Sequence, residues 1–288
     1  MNVADINEIA ARRGAKVVRA NGIDIAYTDV GEGAPLVLLH GGLASTGPAW
    51  TGSTVAHVDH LGALGKHFRV IAPDTRGSGA TVHPGGPATF DVLADDVAAV
   101  IDALELDRPL IAGFSEGGAT ATMVALRRPE LVRALVNHAG FDYFDPAGPV
   151  PPGVRQVFGG SPDATRADPD AAERMFQSIP PMAAIFATMK ADYDDAQGEG
   201  LWRSYLEQFF DRHVAPLGHT IDDFASITAP TLILTGDRDT FCSVEAACAA
   251  YRRLDDGELG VIPGTDHEIS GAVIDAMIEF LSRRSTGA

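Results

Sequence analysis

Positive charge is scarce in this chain of 288 residues, which has 22 lysine and arginine residues against 39 aspartate and glutamate residues. The formal net charge of −17 repels phosphate groups, and no basic run reverses that locally. We therefore expect neither a nucleic-acid partner nor a membrane partner. Nowhere do about 18 apolar residues follow one another, as a membrane-spanning helix requires. The N-terminus lacks the apolar centre of a signal peptide, so the sequence predicts a cytoplasmic protein.

Cysteine is also scarce, since Cys242 and Cys248 are the only two. They stand six apart in a stretch with a helical pattern, where their side chains should point to different faces, so no disulfide is expected between them. His57, His60 and His67 have no cluster of cysteines or carboxylates beside them, which argues against a metal site. Phosphate-cradling loops and dinucleotide fingerprints are missing as well. The sequence thus predicts neither a metal nor a cofactor.

What the chain does contain is an alternation of short apolar runs and helical patterns. Two strand-like runs, Lys16 to Ala20 and Ile23 to Thr28, flank Asn21-Gly22, a pair that tolerates the positive φ angles of a hairpin turn. Later runs are continuous rather than alternating, as strands buried on both faces are. They are 35–39, 68–72, 109–112, 131–137, 231–234 and 259–262. This pattern predicts an α/β fold with a mostly parallel central sheet flanked by helices.

One long segment, 142–228, interrupts the alternation. It opens with a Pro/Gly-rich stretch at 145–153 and holds helical patterns without a convincing strand. The helical patterns are 89–106 before the interruption, and 168–191 and 199–213 within it. Because the segment lies between two strands, we predict that it is an inserted helical cap, with 1–141 and 229–288 forming the core domain.

The sharpest motif is GFSEG at residues 113–117, which fits the pattern G-x-S-x-G. It follows the apolar run 109–112 and precedes a helical pattern over 119–127, which is the strand, turn and helix context of a nucleophile elbow. A side chain at either glycine would crowd the neighbouring strand or helix. An incidental serine in a glycine-rich loop would lack this context. Ser115 is therefore the predicted nucleophile.

A serine hydroxyl needs a base and an acid behind it to react at neutral pH. His267 follows the last strand, which completes the chain order serine, acid, histidine. His40 precedes two glycines, and we interpret it as structural. The acid should leave the sheet one strand before His267, where Asp237 and Asp239 compete. We favour Asp239 because it lies deeper in the loop, whereas Asp237 is placed to shape the turn.

Acyl transfer also needs hydrogen-bond donors for the developing oxyanion. The backbone N–H of Glu116 is one candidate, because it heads the helix after the elbow. The second should come from the loop HGGL at 40–43, where we favour Gly42 and keep Leu43 as the alternative. The Glu116 carboxylate is open to three interpretations: it binds an amine of the substrate, it is exposed and suits the helix dipole, or it pairs with an arginine.

Five motifs in this order resemble the α/β-hydrolase superfamily: HGG at 40–42, DTRGSG at 74–79, GFSEGG at 113–118, GDRD at 236–239 and the histidine at 267. The stretch after the elbow is most similar to the branch of valacyclovir hydrolase and related small esterases. That branch has aspartate after the serine, whereas this chain has Glu116, so its substrate specificity does not carry over. The resemblance implies an α/β-hydrolase fold, a Ser115–Asp239–His267 triad and a helical cap.

We therefore expect a carboxylic ester hydrolase with a small or medium substrate and an acyl-enzyme intermediate. Alternatives are a thioesterase, lactone hydrolase or C–C bond hydrolase of natural-product metabolism, and a ligand-binding protein of the same fold without turnover. Leu43, Phe186 and Trp202 are candidate substrate contacts, although the cap aromatics also suit simple core packing. A small-molecule substrate is the expected partner, and a homo-oligomer is left open.

Overall fold

An eight-stranded sheet forms the centre of the protein. The computed structural model describes residues 6–43, 59–83, 85–144, 167–178, 180–214 and 217–285. The strands are β1 (Lys16–Ala20), β2 (Ile23–Val30), β3 (Pro35–Leu39), β4 (Arg69–Pro73), β5 (Leu110–Phe114), β6 (Ala134–His138), β7 (Thr231–Gly236) and β8 (Gly257–Ile262). Their order is β1-β2-β4-β3-β5-β6-β7-β8, antiparallel at β1-β2 and β2-β4 and parallel elsewhere. The predicted α/β class with a mostly parallel sheet is confirmed.

Helices cover both faces of the sheet. They are α1 (Ile6–Arg12), α2 (His60–Gly65), α3 (Phe90–Ala103), α4 (Glu116–Arg127), α5 (Pro169–Ser178), α6 (Pro180–Ala196), α7 (Trp202–Val214), α8 (Val244–Tyr251) and α9 (Gly271–Ser285). Successive side chains of a strand point to opposite faces. In β3, Val37 and Leu39 pack with α3, α4 and α8, whereas Leu36 and Leu38 pack with α2 and α9. This double burial explains why the strands lack alternation in the sequence.

Local sequence sets most element boundaries. Asn21 and Gly22 have φ angles of 44° and 75°, as the predicted hairpin turn requires. Helix α3 begins after Thr89, whose hydroxyl accepts the Val92 N–H. The predicted strand at 131–137 begins too early: Pro129–Leu131 forms a short 3₁₀ helix, and β6 starts only at Ala134.

The described residues between β6 and β7 contain helices α5, α6 and α7 and no strand. The helix predicted over 168–191 is two helices instead, with the second starting at Pro180. Proline has no N–H to bond to the preceding turn, but it suits the first position of a new helix. The Pro/Gly-rich stretch 145–153 lies outside the described residues. Among the described helices, none has the length and apolar character that a membrane span requires.

Candidate active site

Ser115 occupies a strained turn between β5 and α4. Its φ and ψ angles are 53° and −120°, in a region that residues other than glycine rarely adopt. A Cβ atom at Gly113 would lie 2.2 Å from the Gly117 carbonyl oxygen, and one at Gly117 would lie 2.4 Å from the Leu39 carbonyl oxygen. The two glycines therefore let strand and helix approach closely enough to hold the serine at the carboxyl end of β5.

His267 and Asp239 lie on the loops that follow β8 and β7, at the same edge of the sheet. His267 Nδ1 is 2.9 Å from Asp239 Oδ2. Asp239 Oδ1 also accepts the N–H groups of Phe241 and Cys242, each at 2.8 Å. Burial by itself raises the pKa of the Asp239 carboxyl, but the hydrogen bonds from His267 and the two N–H groups outweigh it and lower the pKa. An ionised Asp239 fixes the proton on Nδ1 and leaves Nε2 free to act as a base.

The competing acid has a different neighbour. Asp237 is exposed, and its Oδ1 accepts the Gly264 N–H at 2.6 Å. It thus links the loop after β7 to the loop after β8 without contacting the histidine ring. Of the two aspartates, the structure places Asp239 against His267.

Cys242 joins Asp239 and His267 in the only group of three potential metal ligands among the described residues. Their candidate ligand atoms lie within 4.8 Å of one another. However, the Cys242 thiol donates to the Ala139 carbonyl at 2.9 Å, and burial raises its pKa well above the ordinary value. Because metals bind the thiolate, a thiol held in this form is a poor ligand. The arrangement suits proton transfer better than metal binding.

The two oxyanion-loop candidates differ in what their backbone already contacts. Leu43 has a φ angle of 57°, and its N–H donates to the Tyr205 hydroxyl of α7 at 2.8 Å. A Cβ atom at Gly42 would lie 2.0 Å from a ring carbon of Phe209 and 2.5 Å from Glu116 Oε2. Glycine is therefore required at 42 by the approach of α7. The Leu43 N–H is engaged by Tyr205, which favours Gly42 as the donor.

Glu116 is buried, so the interpretation as an exposed helix-start residue is wrong. Its Oε1 accepts a hydrogen bond from Arg212 Nε on α7 at 2.7 Å, and the two side chains are only 5% and 1% exposed. Burial lowers the pKa of the Arg212 guanidinium, but the Glu116 carboxylate more than compensates, and the net direction is upward. The ion pair therefore lies in the interior of the protein, and one of its members, Glu116, directly follows Ser115. Arg212 was not among the predicted site residues, and no motif marks it.

A second group from α7 contacts Ser115 through Tyr143. Burial raises the pKa of Tyr143, and the neighbouring Ser115 side chain partly offsets this effect; His213 Nε2 lies 3.1 Å from the Tyr143 oxygen. His213 Nδ1 is 2.6 Å from the Phe209 carbonyl oxygen, which can only accept, so Nδ1 carries the proton. Burial lowers the His213 pKa to about 4, and the neutral ring accepts at Nε2. Tyr143 therefore donates to His213 and can accept from Ser115. Neither residue was predicted.

The predicted aromatic substrate contacts lie inside the group of helices between β6 and β7. Phe186 and Trp202 are 3% and 1% exposed, and their rings meet edge-on at 5.3 Å. Phe176 stacks on Phe186 at 4.8 Å, and Leu43 packs against the same cluster. These contacts agree with the interpretation that Phe186 and Trp202 serve core packing. A contact of either residue with the substrate stays a prediction.

Comparison with known proteins agrees with this fold. The profile of a family described as "alpha/beta hydrolase fold" matches residues 34–271. The chain is 30% identical to 2-hydroxy-6-oxo-2,4-heptadienoate hydrolase of Pseudomonas putida, over 88% of this chain and 89% of that protein. It is 26% identical to the non-heme chloroperoxidase of Burkholderia pyrrocinia, over 87% and 92%. The structure matches a meta-cleavage product hydrolase from Pseudomonas fluorescens with a TM-score of 0.72 at 24% identity, covering 93% and 96% of the two chains.

Proposed function

Because the chain belongs to the α/β-hydrolase fold family, we propose that it is a serine hydrolase in which Ser115, His267 and Asp239 form the catalytic triad. The observation that carries this proposal is the pairing of a strained serine at the end of β5 with a histidine–aspartate hydrogen bond of 2.9 Å on the neighbouring loops. Parallel strands bring these loops to one edge of the sheet, although the three residues are far apart in sequence.

The proposed mechanism has two halves. Ser115 attacks the carbonyl carbon of the substrate while His267 Nε2 takes its proton, and Asp239 stabilises the imidazolium that results. The backbone N–H groups of Gly42 and Glu116 receive the developing oxyanion. His267 then protonates the leaving group, and water hydrolyses the acyl-enzyme by the same steps. Residues 142–228 act as the cap in this proposal, which the contacts of α7 with Gly42 and Glu116 support.

We propose a carboxylic ester of a small molecule as the first substrate class, with the chain acting in the cytoplasm. Hydrolysis of a C–C bond is the second candidate, because the relative that is 30% identical over 88% of this chain is named for a 2-hydroxy-6-oxo-dienoate. Both reactions place an electrophilic carbonyl carbon in front of the same serine. Assaying p-nitrophenyl butyrate and 2-hydroxy-6-oxo-2,4-heptadienoate with one enzyme preparation separates them.

A fluorophosphonate probe and the Ser115→Ala variant test the nucleophile. We expect the wild-type chain to be labelled and Ser115→Ala to lose about 10⁴- to 10⁶-fold in kcat with no labelling, because the triad acts as a unit. The exposed Ser282→Ala on α9 is the matched control and should label like the wild type. Turnover by Ser115→Ala at a tenth of the wild-type rate would contradict the proposal.

A further inference from the structure

The Arg212 guanidinium has more donors than the described residues use. A guanidinium carries five N–H groups. Only Nε has a partner among the described residues, the Glu116 carboxylate at 2.7 Å. Nη1 and Nη2 are buried and have no hydrogen-bond partner in that part of the chain. Four N–H donors of a charged group are therefore available inside the protein.

The guanidinium is bound to a residue that adjoins the candidate nucleophile. Glu116 follows Ser115 directly, and its unpaired Oε2 lies 2.5 Å from the Cβ position of Gly42. Phe209 stands one helical turn before Arg212, with a ring carbon 2.0 Å from the same position. The aromatic rings of Phe209 and Tyr205, 5.3 and 5.7 Å from the guanidinium carbon, flank the arginine and supply no acid.

A purely structural ion pair would not be built this way. Leaving a buried charged donor without an acceptor is destabilising, because the group loses its hydrogen bonds to water and gains none in return. A structural pair avoids that cost by a two-fold contact, in which both carboxylate oxygens meet the guanidinium edge. Here Glu116 uses one oxygen on Nε, and this contact leaves the Nη1–Nη2 edge for another anion.

We propose that Nη1 and Nη2 of Arg212 bind a carboxylate of the substrate, so that the enzyme selects acyl compounds that carry a second, ionised carboxyl group. This inference rests on the proposed function, because it assumes that the substrate is held in front of Ser115. The planar fork of the guanidinium matches the two oxygens of a carboxylate. The chain's net charge of −17 disfavours anions at long range, so such a preference requires a local buried cation.

Glu116 is a positioning residue in this proposal. Its hydrogen bond to Nε fixes the plane of the guanidinium and neutralises one charge. If Glu116 instead bound an amine of the substrate, the preferred substrate would be a cation and not an anion. A protonated amine in this position would face the positive charge of Arg212. The two ideas therefore predict opposite substrate preferences.

Two esters of equal chain length measure the preference: mono-p-nitrophenyl glutarate and p-nitrophenyl valerate. We expect a higher kcat/KM for the glutarate in the wild-type enzyme, and a fall of about 10- to 100-fold in the glutarate/valerate ratio in Arg212→Gln, the range of a hydrogen bond to a charged group. Glu116→Gln should keep the ratio. The double variant Glu116→Gln/Arg212→Gln has no unpaired buried charge and serves where the single variant folds poorly. Arg283→Gln on α9, which is 46% exposed, is the charge-matched control.

Binding without turnover provides the second measurement. Glutarate should raise the melting temperature of Ser115→Ala, glutaramide should not, and the shift should disappear in Ser115→Ala/Arg212→Gln. If the fluorophosphonate labels the enzyme but Arg212→Gln leaves the glutarate/valerate ratio unchanged, the proposed carboxylate site is wrong and the proposed hydrolase function stands. If the fluorophosphonate does not label the enzyme but glutarate still raises the melting temperature, the proposed hydrolase function is wrong and the carboxylate site stands. A preference for an aminoacyl ester that Glu116→Gln abolishes also overturns the carboxylate site.

Discussion

Two side-chain pairs characterise the candidate site, and they are built from different parts of the chain. His267 and Asp239 are 28 residues apart, on adjacent loops of the sheet, and the histidine is 18% exposed. Arg212 and Glu116 are 96 residues apart, join α7 to α4, and are 1% and 5% exposed. The first pair is partly accessible to solvent, whereas the second is almost completely buried.

In the proposed mechanism the two pairs have different tasks. His267 and Asp239 transfer a proton, whereas Arg212 and Glu116 recognise a charged group of the substrate. The sheet edge supplies a base whose proton can move, because the imidazole keeps some access to solvent. The buried pair places charged groups close to the candidate nucleophile, where solvent screens them little. Mutations in the two pairs should therefore affect different quantities.

The largest effect is expected at the first pair. His267→Ala should lower kcat by about 10⁴- to 10⁶-fold, and Ser115→Ala/His267→Ala should lose little more, because members of a triad are non-additive. Steady-state kinetics with p-nitrophenyl butyrate provides the measurement. His219→Ala, outside the site, is the control. A double variant whose loss equals the product of the two single losses would show that the residues act independently.

Asp239→Asn should cost about 10⁴-fold in kcat, because an amide no longer holds the proton on Nδ1 of His267. Asp237→Asn should cost less than about tenfold, since its partner is the Gly264 N–H. Both variants keep the side-chain shape, so circular dichroism should match the wild type. The reverse ranking of the two kcat values would move the acid to Asp237.

The second pair should affect stability more than the chemical step. Arg212→Gln leaves the buried Glu116 carboxylate unpaired, and we expect a loss of about 3–5 kcal/mol in the free energy of unfolding. Glu116→Gln/Arg212→Gln should lose less than Arg212→Gln alone. Urea unfolding of the four proteins gives the coupling energy. The exposed Arg283–Glu258 pair is the control and should couple by less than about 1 kcal/mol. A loss in the double variant equal to the sum of the two single losses would mean that Glu116 and Arg212 are not coupled.

The smallest effect is expected from Tyr143. Its O–H is donated to His213, so towards Ser115 it can only accept a hydrogen bond in the resting enzyme and cannot stabilise an alkoxide. Removing an interaction made only in the ground state lowers the barrier. Tyr143→Phe should therefore speed fluorophosphonate labelling by about 2- to 12-fold, the equivalent of one neutral hydrogen bond. Tyr251→Phe, which is 38% exposed, is the control. Slower labelling of Tyr143→Phe would show that Tyr143 assists the nucleophile.

The candidate site residues at the sheet edge could be predicted because short local sequence patterns determine their positions. Strand-like runs, the glycines of the elbow and the chain order of Ser115, Asp239 and His267 all refer to residues near a strand end. Parallel pairing then brings the strand ends together without further information. The break before Pro180 also had a local signal, in the two adjacent prolines, although the prediction merged the two helices.

The cap side was not predictable in the same way. Arg212, Tyr143 and His213 carry no motif, and their roles depend on where α7 lies over the sheet. That placement is set by packing between residues far apart in the sequence. Helical periodicity and strand order contain no information about this packing. Glu116 offered the one available signal, since a buried acid requires a cation, but its burial could not be read from its position at a helix start.

The buried pair also has a kinetic consequence. Helix α7 is tied to the core at Glu116, at Tyr143 and at the Leu43 N–H. Moving it away from the core would separate Arg212 from Glu116 and break these contacts. Phe241, which is 43% exposed, lies 5.0 Å from the His267 ring, so the loop after β7 gives the candidate site a solvent-exposed face that does not involve α7. The rate of product release should therefore depend on the loop that carries Phe241, while α7 and Arg212 stay in place.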